Sequence, residues 1–446
     1  MNKYQLLKDA YYGSGGFDDG GYLHKHKRET GEAFNARKKQ AFYLNYFAPI
    51  INALVDPIFK KAPLRDYEGI QAALLDEFLR DVDGSGTNID VFMKKAAIQA
   101  KVFGVSFIVV DNYSNANEVA LSVKGLKDER VLPYAYIVSP DIVEDCTIDK
   151  NGKLISFAFK EPSIIKKDKI LFRTTTFTLD GWEINDEEAG VSSGTYTIGK
   201  IPVIPLFSRL LEQRTALPTP EFTSLAGMAQ EIYNSCSELK EVLRNQTFPV
   251  LTIPSLDVND IVIGTNNALG YDGNGMHVPS FIAPPSDPAN IHMTHIANII
   301  QDMYRTANLS FIISTSTNTS SGIARQWEFE RTNQQLASFA TQCAKAERDI
   351  IDLFCRWQGI ELEYSVSYDN DFGIVDVTEK IAQSQAILDL NITDELKVDV
   401  LKRLLAAVFP DITTERFDEL VESVENSQSD IAYNEPPIVI NNSGSD

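Results

Sequence analysis

Several short stretches of this sequence set side chains at spacings that could do chemistry, and each breaks off before the chemistry is complete. Asp81-Val82-Asp83-Gly84-Ser85-Gly86-Thr87 carries oxygen donors at the first, third and fifth positions and glycine at the sixth, the opening half of a calcium-binding loop. The twelfth position, where a bidentate carboxylate must close the site, is Phe92, so the stretch reads as a polar turn between helices. His24-x-His26 and His292-x-x-His295 each bring two imidazoles close in sequence, without a third ligand nearby, and read as surface histidines. Asp369-Asn370-Asp371 is either a cation-holding carboxylate pair or a solvated turn. Gly13-Ser14-Gly15-Gly16 is glycine-rich, but no Gly-Lys-Ser/Thr follows and no strand precedes it, so it is no phosphate loop. Neither a Gly-x-Ser-x-Gly elbow nor a His-Glu-x-x-His helix occurs. These residues make no case for an enzyme, a cofactor or a metal.

The elements that would have to position any site say more. At 446 residues and 43% hydrophobic, the chain can bury two to four subdomain cores. Its four cysteines, Cys146, Cys236, Cys343 and Cys355, lack Cys-x-x-Cys spacing and read as reduced thiols, the last three in helices. A net charge of -21 opposes general adhesion to DNA or anionic membranes. No apolar run reaches the ~18 residues that span a bilayer. The opening Met1-Asn2-Lys3-Tyr4-Gln5 lacks the apolar core of a signal peptide, so a soluble, cytoplasmically made protein without membrane contact is expected.

Residues 1–40, with a Gly/Asp-rich stretch and the basic run His24-Lys25-His26-Lys27-Arg28, read as an extended arm. Helical spacing follows over residues 36–60 (Phe42, Tyr46, Ile50, Ala53, Ile58), then over 70–79 and 88–103, with Gly104 in the usual C-terminal place. Strands are expected at 105–110, 134–138, 142–148, 154–160, 170–176 and 195–204. The first half is therefore α+β. Pro218 marks a change: Thr219 and Pro220 suit a helix start, and Phe222, Leu225, Ala229, Ile232, Cys236, Leu239 and Leu243 follow steps of three and four. A short β-rich module fills 250–285, and a second seam runs through Ala289, Met293, Ile296, Ile300, Met303 and Ala307. The loop 308–321 contains no charged residue. A helical pattern then covers 322–357, about 54 Å at 1.5 Å per residue, with a third seam of Leu336, Phe339, Cys343, Ala346, Ile350, Leu353 and Trp357. A strand at 361–368, helices at 378–388, 395–408 and 414–425, and a polar, disordered tail at 426–446 complete the chain.

Two antiparallel seamed helices flanking a small β module, then a neutral loop and a very long helix, resemble the stem, clip, tunnel loop and tunnel helix of the portal proteins of tailed bacteriophages. In the N-terminal half, Tyr22-Leu23, Glu32, Arg37, Phe42-Tyr43, Asn45-Tyr46 and Lys60-Lys61-Ala62-Pro63 are similar to the opening helix of the portal wing. Asp83-Gly84-x-Gly86 before Phe92, and Phe103-Gly104 before Val109-Val110-Asp111, resemble its next helix and strand. Ser321-Gly322-x-Ala324 leading to Glu328, Leu336 and Ala344 through Glu347 is similar to the start of the long helix, and Asp371-Phe372 to the run into the crown. The likeness covers about residues 17–420 and lies in the order of the matches, none of which is specific alone.

The resemblance implies an α+β, portal-like fold with these parts: arm and wing (1–217), first stem helix (218–248), clip (249–286), second stem helix (287–307), tunnel loop (308–321), long helix and return strand (322–376), helical crown (377–425) and tail (426–446). It further implies a homo-oligomeric ring, usually of twelve copies, at one capsid vertex. That ring admits and releases double-stranded DNA without sequence specificity, and it contacts the major capsid protein, the large terminase subunit, head-completion or adaptor proteins and the tail. Its place is the virion, after assembly in host cytoplasm. Ser314, Thr315, Ser316, Thr317, Asn318, Thr319 and Ser320 would touch passing DNA through neutral hydrogen bonds, and Arg305 and Lys345 are the basic residues expected to face the channel. The long apolar seams are expected to pack against neighbouring copies, with an intrachain bundle as the other reading. Another virion head protein, or a nucleic-acid-processing enzyme with a carboxylate-metal site, are the rival functions.

Overall fold

The computed structural model describes residues 3–68, 72–112, 132–166, 169–196, 198–210, 215–247, 250–254, 268–271, 280–282, 287–313, 322–370, 372 and 377–388, with residues 396, 397, 400, 401, 404, 416 and 420. Two compact units divide the chain, Met1–Phe372 and Gly373–Asp446. The described residues up to Phe372 belong to the first.

The first forty residues do not form an extended arm. They fold as α1 (Lys3–Tyr12), a 3-10 turn (Gly15–Phe17) and α2 (Gly31–Gln40), because Tyr4, Leu7 and Ala10 share one face of α1 and are buried together with Phe17, Tyr22 and Leu23. Nor does one helix run through residues 36–60. Pro49 has no N–H to give and its ring would strike the carbonyl a turn earlier, so it is tolerated only in a first turn. The chain accordingly leaves α2 at Ala41, Asn45 accepts the Ala48 N–H at 2.9 Å, and α3 (Phe47–Ala53) starts just before the proline.

After β1 (Leu64–Tyr67) come α4 (Ala72–Arg80) and α5 (Ile89–Phe103). Asn88 caps α5 by accepting the Val91 N–H at 2.9 Å, and Gly104 ends it in the left-handed region at φ 88. The strands β2 (Val105–Asp111), β3 (Tyr134–Val138), β4 (Val143–Ile148), β5 (Leu154–Lys166) and β6 (Lys169–Thr178) follow the expected positions. The strand expected over 195–204 is absent. Its place is taken by β7 (Gly181–Asp186), β8 (Gly190–Thr195), a bend at 198–200 with Gly199 at φ 73, and β9 (Val203–Phe207).

β2 is the hinge of the packing, since its apolar run is buried on both faces. Val105, Phe107 and Val109 point to one core with Phe157, Phe159 and Phe177 of the antiparallel meander β4-β5-β6-β7-β8. Ile108 and Val110 point the other way, and with β9 and β3 on its flanks this sheet covers α4 and α5.

The helix expected from Pro220 begins three residues later as α6 (Thr223–Thr247), with the Thr223 hydroxyl donating to the Pro220 carbonyl at 3.0 Å. Beyond it, β10 (Val250–Pro254) pairs in parallel with β11 (Ala268–Tyr271) and antiparallel with β12 (Ser280–Ile282). α7 (Asp287–Thr306) then packs back on α6, a single turn α8 (Ser310–Ile313) follows, and α9 (Gly322–Gln358) runs for 37 residues. α9 stops in a left-handed Gly359, φ 62, with Ile360 N–H returning to the Cys355 carbonyl at 3.0 Å. β13 (Tyr364–Ser367) closes against β1, a pairing invisible in the sequence because β1 reads Leu-Arg-Asp-Tyr. In the second unit α10 (Val377–Leu388) is described; the expected helices at 395–408 and 414–425 and the tail at 426–446 lie outside the described residues, apart from five residues of the first and two of the second.

The three seams are filled from within the chain. Leu336, Phe339, Cys343, Ala346, Ile350 and Leu353 of α9 join α4, α5 and one face of β2 and β9 (Ile108, Val110, Ile204 and Leu206) in one core. Leu225, Ala229, Ile232 and Cys236 of α6, with Phe222 just before it, meet Ile296 and Met303 of α7 and Ala307 just after it, along with α1 and α3, in another. The expectation that these stripes await a neighbouring copy is therefore corrected: folding of one chain buries most of each stripe, and only outlying members such as Leu243 and Met293 stay exposed.

Candidate functional site

The neutral loop leaves α7 through Asn308, the only described non-glycine at positive φ (59). Its carbonyl accepts the Thr332 hydroxyl at 2.6 Å, and its side-chain amide donates to Gln335 at 3.1 Å. Leu309 is buried beside it and donates its N–H to the Tyr304 carbonyl at 2.8 Å. The loop's entrance is thus clamped to the body of α9. Ile312, on α8, is exposed. Ser314 through Ser320 lie outside the described residues.

Arg305 sits in the last turn of α7, exposed, with Asp302 at 3.1 Å one turn back. Lys345 is exposed on α9, between the buried Ala344 and Ala346 in sequence, and near enough to Asp349 to act on it. Both are surface cations with an acidic neighbour on their own helix, and they stand on different helices. Burial raises the Asp349 carboxyl, against the pull of Lys200 and Lys345.

The incomplete motifs stay incomplete. In the turn after α4, the carboxylates of Asp81 and Asp83 accept the N–H groups of Gly86 (2.8 Å) and Ser85 (2.9 Å), so they serve their own backbone. In the stretch 13–16, Ser14 and Gly15 lie against a buried carboxylate, Asp9, which takes the Ser14 hydroxyl at 3.2 Å and the Tyr22 hydroxyl at 2.6 Å; a carboxylate already there leaves no phosphate cradle. His24 faces Gln230, His295 faces Glu231 at 3.4 Å, and Asp369 meets Lys61 at 2.8 Å. Among the described residues no group of three His, Cys, Asp or Glu side chains is placed to hold a metal ion, and no helix is long and apolar enough to cross a membrane.

An open groove of about 700 Å³ runs along the end of α9, between Arg348, Ile351, Cys355 and the following Ile360 to Tyr364. Burial, with Asp352 adding to it, pushes the Cys355 thiol up to about 11, so the group stays protonated and unreactive at neutral pH.

Sequence reasoning missed two polar clusters that fix α9 in place. Glu347, fully buried in the seam, takes Arg65 at 2.7 Å and the hydroxyls of Tyr364 and Tyr368 at 2.5 Å each, while Arg65 also reaches Asp90 at 2.6 Å. Lys101, 2% exposed, donates to the Ser208 carbonyl at 2.9 Å, lies 4.4 Å above the Phe339 ring and 3.5 Å from Glu221. A signal existed for the first: Glu347 stands four residues from Cys343 and from Ile351, on the helix face that the apolar seam marks as buried. Lys101 gave none, because a lysine near a helix end is ordinarily solvated.

No family model matches the chain, and no curated protein does. Among solved structures it is similar to a chain from the neck of a native GTA particle computed with C12 symmetry, over 79% of this chain and 88% of that one, at 10% identity and a TM-score of 0.44. It is also similar to a chain from the neck of an empty GTA particle computed with C6 symmetry, over 90% and 93%, at 10% identity and a TM-score of 0.45. A third likeness is to a chain of the virion of a native gene transfer agent, over the same shares, at 9% identity and a TM-score of 0.45.

Proposed function

We propose that the chain is a portal-type subunit that performs no chemistry of its own: copies close into a ring, usually twelve, at one capsid vertex, and double-stranded DNA passes through the ring in packaging and ejection. The observation that carries this reading is the order of elements from α6 onward. A 25-residue helix, a small three-stranded module, a returning 20-residue helix, a clamped neutral loop and a 37-residue helix are the parts a channel subunit needs, in the sequence in which it needs them.

Ser314 to Ser320 would form the channel's inner loop, offering hydroxyls and an amide and no cation to hold the polyanion back. Arg305 and Lys345 would stand on channel-facing surfaces. Since the seams are consumed within the chain, contacts between copies fall to apolar residues left in water, such as Leu64, Ile165, Val191, Phe281, Ile282 and Ile291. The ring's outer partners would be the major capsid protein, the large terminase subunit and head-completion, adaptor and tail proteins, and its place the virion, after assembly in host cytoplasm.

The test is native mass measurement with negative-stain imaging of the purified protein. Closed rings with a central hole are expected; monomers alone over a wide concentration range, or metal-dependent nuclease or ATPase turnover, overturn the reading. Replacing Ser314 to Ser320 by glycine should leave rings intact and impair DNA retention or packaging. Unchanged packaging removes the loop from the channel.

A further inference from the structure

Among its described residues the acidic chain carries a built positive face. The run His24 to Arg28 is not loose: His24 N–H donates to the Asn234 carboxamide at 2.7 Å, and Asn234 donates back to the Tyr22 carbonyl at 3.0 Å. Arg37, buried, grips the His24 carbonyl at 2.6 Å and the Ser237 hydroxyl at 2.7 Å, and its own charge is taken up by Glu29 at 2.9 Å. Lys240, on the same side of α6, donates to the Gln40 carbonyl at 2.6 Å. The basic run, the end of α2 and the second half of α6 are thereby locked into a single surface. Lys25, Lys27, Arg28, Lys39, Lys240 and Arg244 are exposed on it, with Lys38 half-buried beside them. The anions close by are Glu32, Glu238 and Glu241, with Asp18 and Asp19 at the Lys38 edge.

We propose that this face binds the phosphate backbone of double-stranded DNA, at a site separate from any channel. Five of the seven cations are lysines, compact point charges that suit phosphates, whereas the cores of protein interfaces are depleted in lysine. Of the large apolar side chains here only two, Phe42 and Leu243, are exposed, a small apolar area for a protein partner to desolvate. The aromatic faces are already occupied: Arg37 and Lys38 lie 5.2 and 5.1 Å from the Phe34 ring centre, and Lys240 lies 5.4 Å from that of Phe42. A cation already sits against each of these rings, which leaves less aromatic surface for stacked bases and favours the duplex backbone over a single strand. The net charge of -21 does not forbid it, because charges beyond roughly 8 Å are screened at physiological salt while the patch lies at contact.

The experiment uses the full-length protein and a small covalently closed DNA circle, which cannot thread a ring, so the outcome is independent of channel formation. Binding is followed by fluorescence anisotropy between 50 and 200 mM salt. With ~4 phosphates neutralised, affinity should fall about a hundredfold across that range. Lys25→Glu/Lys27→Glu/Arg28→Glu should weaken binding more than tenfold at 50 mM salt and flatten the slope of log affinity against log salt by about 3. Lys150→Glu/Lys153→Glu/Lys160→Glu, which changes net charge equally on the β4–β5 side, should stay within twofold. Equal loss in both triples, no binding at 50 mM salt, or tighter binding to phosphatidylserine vesicles than to the circle would overturn the proposal.

Discussion

Arg65 and Glu347, 282 residues apart in sequence, meet at 2.7 Å with the carboxylate wholly withdrawn from water. The pair ties β1, a four-residue strand with little apolar content, to the middle of the longest helix. Burial alone would lower the arginine's affinity for its proton, but the hydrogen bonds and charges of Glu347 and Asp90 more than reverse this and hold it cationic. Both tyrosine hydroxyls are held protonated at ordinary pH by burial first and by Glu347 second.

Removing the cation should be costly, because a buried carboxylate is then left without its counter-charge. Arg65→Met is expected to destabilise by about 3–5 kcal/mol, and Tyr368→Phe, which deletes one hydrogen bond to the charged group, by about 1.5–3 kcal/mol. Urea unfolding of the two variants checks the ranking.

Lys101 supplies a pH signature. Burial lowers its pKa below the usual 10.5, with Glu221 opposing. Below the depressed value both states carry the proton and the full burial cost is present. Between that value and 10.5 the unfolded chain binds more protons than the folded one, so the part of stability due to Lys101 rises with pH. The stability difference between wild type and Lys101→Met should therefore move in the wild type's favour from neutral pH toward 10.5, read by urea unfolding at a series of pH values. A flat or opposite trend would show the lysine to be solvated.

Gly104 and Gly86 both sit at positive φ, 88 and 86, but in different surroundings. A Cβ on Gly104 would come within 3.0 Å of the Pro220 backbone, whereas one on Gly86 meets open space. Gly86→Ala should cost only the left-handed backbone term, about 1–2 kcal/mol. Gly104→Ala should cost visibly more, since Pro220 must shift to admit it, and thermal unfolding of the two variants separates the contributions.

What the sequence made legible were the elements whose burial is periodic. The seams of α6, α7 and α9 appear residue by residue because steps of three and four mark a helix face regardless of what covers it. What covers it was not legible: Leu336 to Leu353 reads the same whether its partner is a neighbouring copy or α5 and β2 of the same chain. Strands β7 and β8 escaped because Glu183, Asn185, Ser192 and Ser193 belong to a sheet with one face in water. The arm was misjudged because its Gly/Asp-rich stretch and basic run carry no helical period, yet Tyr4, Leu7 and Phe17 suffice to dock it. Of the proposed site, the clamp at Asn308 depends on Thr332 and Gln335, 24 and 27 residues away, a contact that no local pattern announces.

One feature of α5 bears on how the first unit would answer a mechanical load. Ile89 through Ala100 are set in the core that holds α9, Val102 and Phe103 in the core that holds α6 and α7, and Ile98 touches both. A push along the α6–α7 pair therefore arrives at the long helix through a rivet rather than across a joint. Stress of that kind cannot be shed by sliding one core past the other without pulling α5 out of one of them, and the unit should give way as a whole or not at all.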